Sequence, residues 1–223
     1  MNIAVGKKLN MTQHFMPSGE VIPVTVIKTQ PLVVTQVKTL ESKDKYNAVQ
    51  VAVPNKISGS KRANKALTGH LKGAKAGSLV EFRSSEAGQI VAGQSIDISG
   101  FQVGELVDIS GKMKGRGFAG AIKRHGFAGF PGSHGHDRPR SVGSIGQRFP
   151  QHTRKGLRMS GHMGTQNVTA KNLQIVDIDV ARGILMVKGA VPGSRGGAIK
   201  IVSTGKVKPL VIEEKLKDDK KKK

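Results

Sequence analysis

Cysteine and tryptophan are absent from this chain of 223 residues, and tyrosine occurs once. The lack of cysteine excludes disulfides and thiolate metal sites and fits a reducing compartment. No apolar run approaches the roughly 18 residues of a membrane-spanning helix. Residues 1–7 contain no apolar stretch of the signal-peptide kind, so we expect neither a membrane segment nor a signal peptide.

Acidic residues are also scarce. The chain has 37 lysines and arginines against 15 aspartates and glutamates, which gives a formal net charge of +22. Such an excess indicates a nucleic acid or another anionic surface as the partner. Because no membrane segment is predicted, we favour nucleic acid.

The basic charge is concentrated in one stretch, Gly111–Gly164, which we call the basic segment. It holds thirteen of the 29 glycines and five of the seven histidines but a single carboxylate, Asp137. No helical or strand period runs through it, and its charge and backbone freedom are typical of an extension that orders against a polyanion. The residues predicted to bind RNA are Lys7 and Lys8 near the start of the chain and, in or beside the basic segment, Lys112, Lys114, Arg116, Lys123, Arg124, His125, His134, Arg138, Arg140, Arg148, Arg154, Lys155 and Arg158.

Outside the basic segment, short runs rich in β-branched residues predict strands. Leu173 and Ile175 alternate out of phase with residues 176–180, which predicts a bulge near Ile175. Many short strands with few helices predict a mainly β fold with a closed barrel. The predicted strands are 3–5, followed by a basic turn at 6–8, then 21–27, 32–37, 48–53, 79–82, 94–98, 105–109, 168–180, 184–187 and 198–202.

These patterns predict three regions. Residues 1–110 and 165–212 form the β-barrel, with a partly irregular excursion near 56–78 where the pattern of 61–76 also permits a glycine-interrupted basic helix. The basic segment, 111–164, is inserted between two strands of that barrel. Residues 213–223, rich in lysine, form a solvated flexible tail.

Two motifs in the basic segment invite an enzymatic interpretation. Gly115–Gly120 matches GxGxxG after a strand, but a dinucleotide site also needs a helix next, and Gly126 and Gly129 disfavour one. His134 and His136 with Asp137 invite a metal or acid–base site, yet HExxH-type spacing is absent and partner carboxylates are scarce. We expect no cofactor, no metal and no catalytic residue, and we expect the histidines to contact phosphates or bases.

Four of the seven phenylalanines also lie in the basic segment. Interleaved with arginine and glycine, they are suited to stacking on unpaired bases. They could equally pack on one another or on the barrel, and the sequence leaves both interpretations open. The four are Phe118, Phe127, Phe130 and Phe149.

Several motifs in order resemble the universal large-subunit ribosomal protein L3 family in its bacterial form. Residues 6–12, GKKLNMT, resemble the family's GKKxGMT opening, with Asn10 in place of glycine and the same left-handed turn expected. Residues 108–124 resemble its central signature, with Met113 in place of serine or threonine. Residues 133–135, 143–146 and 159–164 resemble later motifs of the segment, and 185–193, LMVKGAVPG, resemble its closing strand and turn.

The resemblance implies a translation-type barrel on the surface of the large ribosomal subunit, in the cytoplasm. It implies that the basic segment extends through 23S-type rRNA toward the peptidyl transferase centre, that the protein acts in early assembly, and that other ribosomal proteins are its neighbours. In some bacterial members a dedicated methyltransferase N5-methylates one glutamine. Gln147, after Gly143-Ser144-Ile145-Gly146, matches its place.

The hypothesis from the sequence is therefore a structural rRNA-binding protein of the large subunit that is not an enzyme. The alternative is a free-standing RNA-binding translation or RNA-remodelling factor with a similar barrel. The absence of a Walker A sequence weighs against a GTPase.

Overall fold

The computed structural model describes residues 2–16, 18–42, 44–53, 65–71, 77–84 and 87–209. These residues form a mainly β fold, as predicted, with single-turn 3₁₀ helices at Ala87–Gln89 and Ile98–Gly100. The predicted tail, 213–223, and most of the predicted excursion near 56–78 lie outside the described residues. The strands and helices are β1 (Ile3–Phe15), β2 (Val21–Thr29), β3 (Leu32–Lys38), β4 (Ala48–Val53), α1 (Lys65–His70), β5 (Ser78–Arg83), β6 (Ser95–Ile96), β7 (Glu105–Lys112), β8 (Phe118–Ala119), α2 (Ala121–His125), β9 (Gly161–His162), β10 (Asn167–Asp179), β11 (Ile184–Lys188) and β12 (Ala198–Val207).

Six antiparallel strands pair in a closed ring in the order β1-β12-β7-β10-β11-β2, and β2 pairs back to β1. The chain divides into two units: the described residues up to Lys112 and from Asn167 onward, which contain the ring, and residues 113–166, which we call the arm. Lys112 pairs with Asn167 across β7 and β10. Both ends of the arm therefore start from neighbouring positions on adjacent strands.

Apolar side chains from every strand of the ring form one core. The period of two in β7 places Val107 and Ile109 on the buried face, and Leu185 and Val187 do the same in β11. β-branched side chains pack well on a pleated surface, which is why these runs form strands. The core consists of Ala4, Ile27, Ile98, Phe101, Val107, Ile109, Ile175, Leu185, Val187, Val191, Ile199 and Ile201.

A second sheet, of order β5-β4-β3-β6, lies outside the ring. The prediction that all strands of residues 1–110 join one barrel is therefore wrong for four strands. These are β3, β4 and β5, between Leu32 and Arg83, and β6 at Ser95–Ile96. The reason is that both faces of β1 are apolar in its first three residues, Ile3–Val5. Ala4 packs in the ring core, whereas Ile3 and Val5 pack in a separate core with residues of the second sheet, including Phe82.

Strand β1 is also longer than predicted. The turn expected at residues 6–8 is wrong, because Gly6 pairs with Ile199 and with Thr29 inside the strand. Asn10 has no positive φ, so the expected left-handed turn is wrong too; the register instead shifts between Lys8 and Met11. The predicted bulge near Ile175 is confirmed, since the β10–β11 register shifts between Ile175 and Asp177.

Lys38 and Glu81, on two strands of the second sheet, form a hydrogen-bonded network with Tyr46. The Lys38 ammonium donates to the Tyr46 hydroxyl at 2.7 Å and lies 3.0 Å from Glu81 Oε2, and Tyr46 donates to Glu81 Oε1 at 2.8 Å. The hydrogen bonds to Tyr46 and Glu81 raise the pKa of Lys38. The hydrogen bond from Lys38 lowers the pKa of Glu81. Each charged group therefore stabilises the charged form of the other.

Candidate nucleic-acid interface

The first and last residues of the arm run side by side and hold one another by backbone hydrogen bonds. Met113 N donates to Gln166 O at 2.9 Å, and Arg116 N donates to Met163 O at 2.8 Å. Phe118 pairs with His162 in the short β8–β9 ladder. Gly164 has φ +92°, and a Cβ there would collide with the carbonyl oxygen of Lys114. Only glycine fits this close approach of the two backbones.

A helix, α2, follows the GxGxxG motif. It has only five residues, in keeping with the expectation that Gly126 and Gly129 disfavour a long helix. It ends at Gly126, whose left-handed φ of +74° lets its N–H bond the Ile122 carbonyl. The helix is too short for the helix of a dinucleotide-binding unit. It instead places two of the predicted RNA-binding residues, Arg124 and His125, on the inner side of the arm.

Arg124 and His125 hold the arm together. Arg124 Nη1 donates to the Met159 carbonyl at 2.8 Å, and His125 Nε2 lies 3.1 Å from the same oxygen. A Cβ at Gly161 would lie 2.8 Å from Arg124 Nη1, so this glycine makes room for the guanidinium. The sequence carried no signal for these contacts, because Met159 lies more than 30 residues further along the chain. Both side chains therefore have a structural role within the arm, and RNA binding by them stays a prediction.

The remaining basic residues of the arm are almost all exposed and carry uncompensated charge. Among the described residues, the ion pairs with carboxylates involve Lys38 and Arg182, which lie outside the arm. Asp137, the single carboxylate of the arm, is exposed as well. The exposed predicted residues are Lys114, Arg116, Lys123, His134, Arg138, Arg140, Arg148, Arg154, Lys155 and Arg158, together with Lys112 at the end of β7.

Three of the four phenylalanines of the arm have a histidine or arginine as neighbour. Phe127 lies 6.0 Å from the His125 ring, Phe130 lies 4.4 Å from His136, and the Arg148 guanidinium lies 5.7 Å from the Phe149 ring. Within the arm, every residue of which the structure describes, no phenylalanine pairs with another. Phe118 and Phe149 are 79% and 67% exposed. Packing of the four rings on one another is therefore wrong, and stacking on bases stays a prediction.

The described residues contain neither a metal-binding cluster nor a membrane-spanning helix. In that part of the chain no three histidine, aspartate or glutamate side chains come together in a way that could hold a metal ion. No helix there is long and apolar enough to cross a membrane.

The chain thus contains a β-rich unit and a basic, glycine-rich unit, the arm. The sequence matches the model of the family described as ribosomal protein L3 over residues 36–183. The chain belongs to the ribosomal protein L3 family. The resemblance seen in the sequence motifs is confirmed.

Its bacterial relatives align with nearly the whole chain. The large ribosomal subunit protein uL3 of Herpetosiphon aurantiacus is 43% identical over 216 residues, which cover 92% of this chain and 98% of the relative. The protein of the same name in Thermotoga petrophila is 46% identical over 207 residues, 91% and 97% of the two chains. That of Oceanobacillus iheyensis is 42% identical over 207 residues, with the same coverage.

The opening and closing L3-family motifs meet at Lys8. Its ammonium donates to the carbonyl oxygens of Val191 at 2.7 Å and Gly193 at 3.4 Å, and its backbone carbonyl accepts from Gly196 N at 2.7 Å. Lys8 therefore ties β1 to the loop before β12, whereas the neighbouring Lys7 is exposed. Lys8 thus has a structural role that the sequence did not reveal, and RNA binding by Lys7 and Lys8 stays a prediction.

Proposed function

We propose that this chain is a structural constituent of the large ribosomal subunit in the cytoplasm, that its arm binds the phosphate backbone of 23S-type rRNA, and that it is not an enzyme. The observation that carries the proposal is the arm's charge. Nine of its ten basic residues are exposed, and among the described residues none of them is paired with a carboxylate. Folding alone leaves this like charge uncompensated, whereas a polyanion neutralises it.

We infer further that the six-stranded ring is a closed barrel of the translation-protein type that attaches to the subunit surface. The arm then extends through rRNA toward the peptidyl transferase centre, and the protein joins the particle early, beside other large-subunit proteins. The pairing of Lys112 with Asn167 supports this arrangement, because both ends of the arm start from one place on the ring. Family membership supports it as well.

The test is a salt titration of binding to large-subunit rRNA from the source organism. Each neutralised phosphate contributes about 0.7 to 0.9 to the slope of log affinity against log salt. The triple variant Arg138→Ala, Arg140→Ala, Arg154→Ala should therefore flatten the slope by about 2 to 3. Arg182→Ala is the matched control, because that guanidinium already lies 3.6 Å from the Asp179 carboxylate. An unchanged slope in the triple variant contradicts phosphate binding by the arm.

Sedimentation of a cell lysate separates the proposal from its alternative. A ribosomal constituent travels with the large subunit at low salt. A free-standing RNA-binding factor remains in the soluble fraction, and that result would reject a ribosomal role.

We also propose that Gln147 is N5-methylated by a dedicated glutamine methyltransferase. The side chain is exposed and borders a cavity of about 310 Å³, so an enzyme can reach its amide. A methyl group removes one of the two amide donors and adds apolar surface. Mass spectrometry of the native protein should find one added methyl on Gln147 and none on Gln151, which is also exposed. An unmodified Gln147 in native ribosomes retires the idea.

A further inference from the structure

One cavity in the arm has apolar walls. It measures about 340 Å³ and is lined by Phe127, Val142, Ser144, Gly156, Leu157 and Arg158. The arm has almost no buried apolar side chains elsewhere, since Ala119 and Ala121 are its only buried hydrophobic residues. The apolar side chains that line this open cavity are therefore not part of a buried core.

Two backbone turns form the cavity. Gly156 has φ +82°, and Leu157 N donates to the Arg154 carbonyl at 3.3 Å, so the chain reverses and presents Leu157 and Arg158 together. On the other side, Phe127 follows the left-handed residue Gly126 that ends α2. The Phe127 ring is half-buried and lies 6.0 Å from the His125 ring, at an angle of 40°.

The cavity's rim is polar and positively charged. Arg158 borders it, and Arg154 and Lys155 lie immediately before its turn; all three are exposed. The Ser144 hydroxyl donates to the Gly146 carbonyl at 3.0 Å, which leaves its oxygen lone pairs as acceptors. The occupant that suits this lining has a flat apolar face, polar edges that can donate, and an anionic chain attached to it.

We propose that this cavity binds one unpaired nucleobase of the RNA, with Phe127 as the stacking surface and Arg158 on the adjoining phosphate. The inference rests on the proposed function and adds to it: the arm would recognise a single-stranded nucleotide in addition to neutralising phosphates. Base–aromatic stacking tolerates any base, because every base has a π face. An apolar side chain of a neighbouring protein could fill the cavity, but it carries no negative charge to pair with the cationic rim.

Substitutions at Phe127 separate stacking from packing. Phe127→Tyr keeps the aromatic ring. Phe127→Leu keeps apolar bulk without the ring, and Phe127→Ala removes both. In rRNA binding, the tyrosine variant should match the parent, and the leucine and alanine variants should both bind about tenfold or more weakly, the loss typical of one stacked base. The salt slope should stay the same in all of them, because stacking releases no counterions.

Leucine binding as tightly as phenylalanine would overturn the proposal, since bulk alone would then suffice. That outcome would leave phosphate binding intact, provided that the parent chain keeps its steep salt slope. A parent chain with no affinity for rRNA would overturn both ideas.

A second measurement needs no variant. Short-wave ultraviolet light applied to native large subunits should cross-link Phe127 directly to one unpaired nucleotide, identified by mass spectrometry of the peptide that contains residue 127. Absence of that cross-link, in subunits where the arm's other peptides do cross-link to RNA, would overturn the proposal.

Discussion

The ring and the arm differ in how much apolar surface each of them buries. In the ring, every strand contributes apolar side chains to a common core, and Ile109, Leu185 and Ile201 are fully buried. In the arm, only two alanines are buried among its hydrophobic residues, while three of the four phenylalanines and every arginine except Arg124 are exposed. The ring is stabilised by its own contacts, whereas the arm presents groups that need a partner.

This contrast shows that backbone hydrogen bonds and glycine turns can define a path without supplying much stability. The arm's bonds, such as Met163 N to Gly117 O at 2.9 Å, resemble those of the ring in length. A net hydrogen bond contributes only about 0.5–1.5 kcal/mol, and ordering one residue's backbone costs roughly 1–2 kcal/mol. What the arm lacks is apolar burial, and we propose that contacts with a polyanion stabilise it instead.

The largest expected effect compares two leucines. Leu185→Ala, in the ring core, should lower the free energy of unfolding by about 2–5 kcal/mol, because it leaves a cavity among packed side chains. Leu157→Ala, at a residue that is 43% exposed, should change it by less than about 0.5 kcal/mol. Urea unfolding of the free protein measures both. Equal losses would mean that the arm has a core of its own.

A smaller effect is expected at the charged network of the second sheet. The pKa of Glu81 is lowered by Lys38, so the stability from this carboxylate is fully present above its unfolded pKa and is lost as the pH falls through its folded pKa. Because its side chain is 31% exposed, Glu81→Gln should cost less than about 1 kcal/mol at neutral pH.

The difference between the parent chain and Glu81→Gln should begin to shrink as the pH falls below the ordinary glutamate pKa of about 4.3, and it should disappear below the lowered pKa that Glu81 has in the folded chain. Glu41→Gln, at an exposed carboxylate, is the control and should have little effect at either pH. A gap that persists in acid would show that the amide disturbs packing and that charge is not the cause.

The smallest expected effect is on the ring when the arm is removed. A short Gly-Ser linker in place of residues 113–166 should leave the thermal transition nearly unchanged, because loop closure depends only weakly on length and Lys112 pairs with Asn167. The same variant should lose its deep RNA contacts.

In the free full-length chain, hydrogen exchange should be slow in the ring and fast in the arm. Slow exchange throughout Gly115–Gly161 without RNA would contradict this separation.

Local patterns predicted most of the strands. Alternation in β7 and β11, and the change of phase at Ile175, follow from which face each side chain meets, so the sequence was sufficient. Partner choice was different. The second sheet separates from the ring because both faces of β1 are buried at its start. A run of apolar residues such as Ile3-Ala4-Val5 does not reveal which residues cover each face.

The charge of the arm was predictable, and the roles of individual cations were not. Composition alone identifies a basic, glycine-rich segment. Arg124, His125 and Lys8, however, are directed to carbonyl oxygens of Met159 and Val191. Every residue supplies a carbonyl, so these acceptors leave no trace in the side-chain sequence, and only the folded chain brings donor and acceptor together.

The pairing of Ile3 with Val202 determines how long one edge of β1 stays unpaired while the chain is being synthesised. Strand β1 can pair with β2 as soon as both are made, but its other edge must wait for β12. The two partners are 199 residues apart, so at about 5–20 residues per second that edge remains open for about 10 to 40 s. Open strand edges recruit other strands. Each newly made molecule therefore passes through an interval in which the unpaired backbone edge of residues 3–7 can pair with the strand of another molecule.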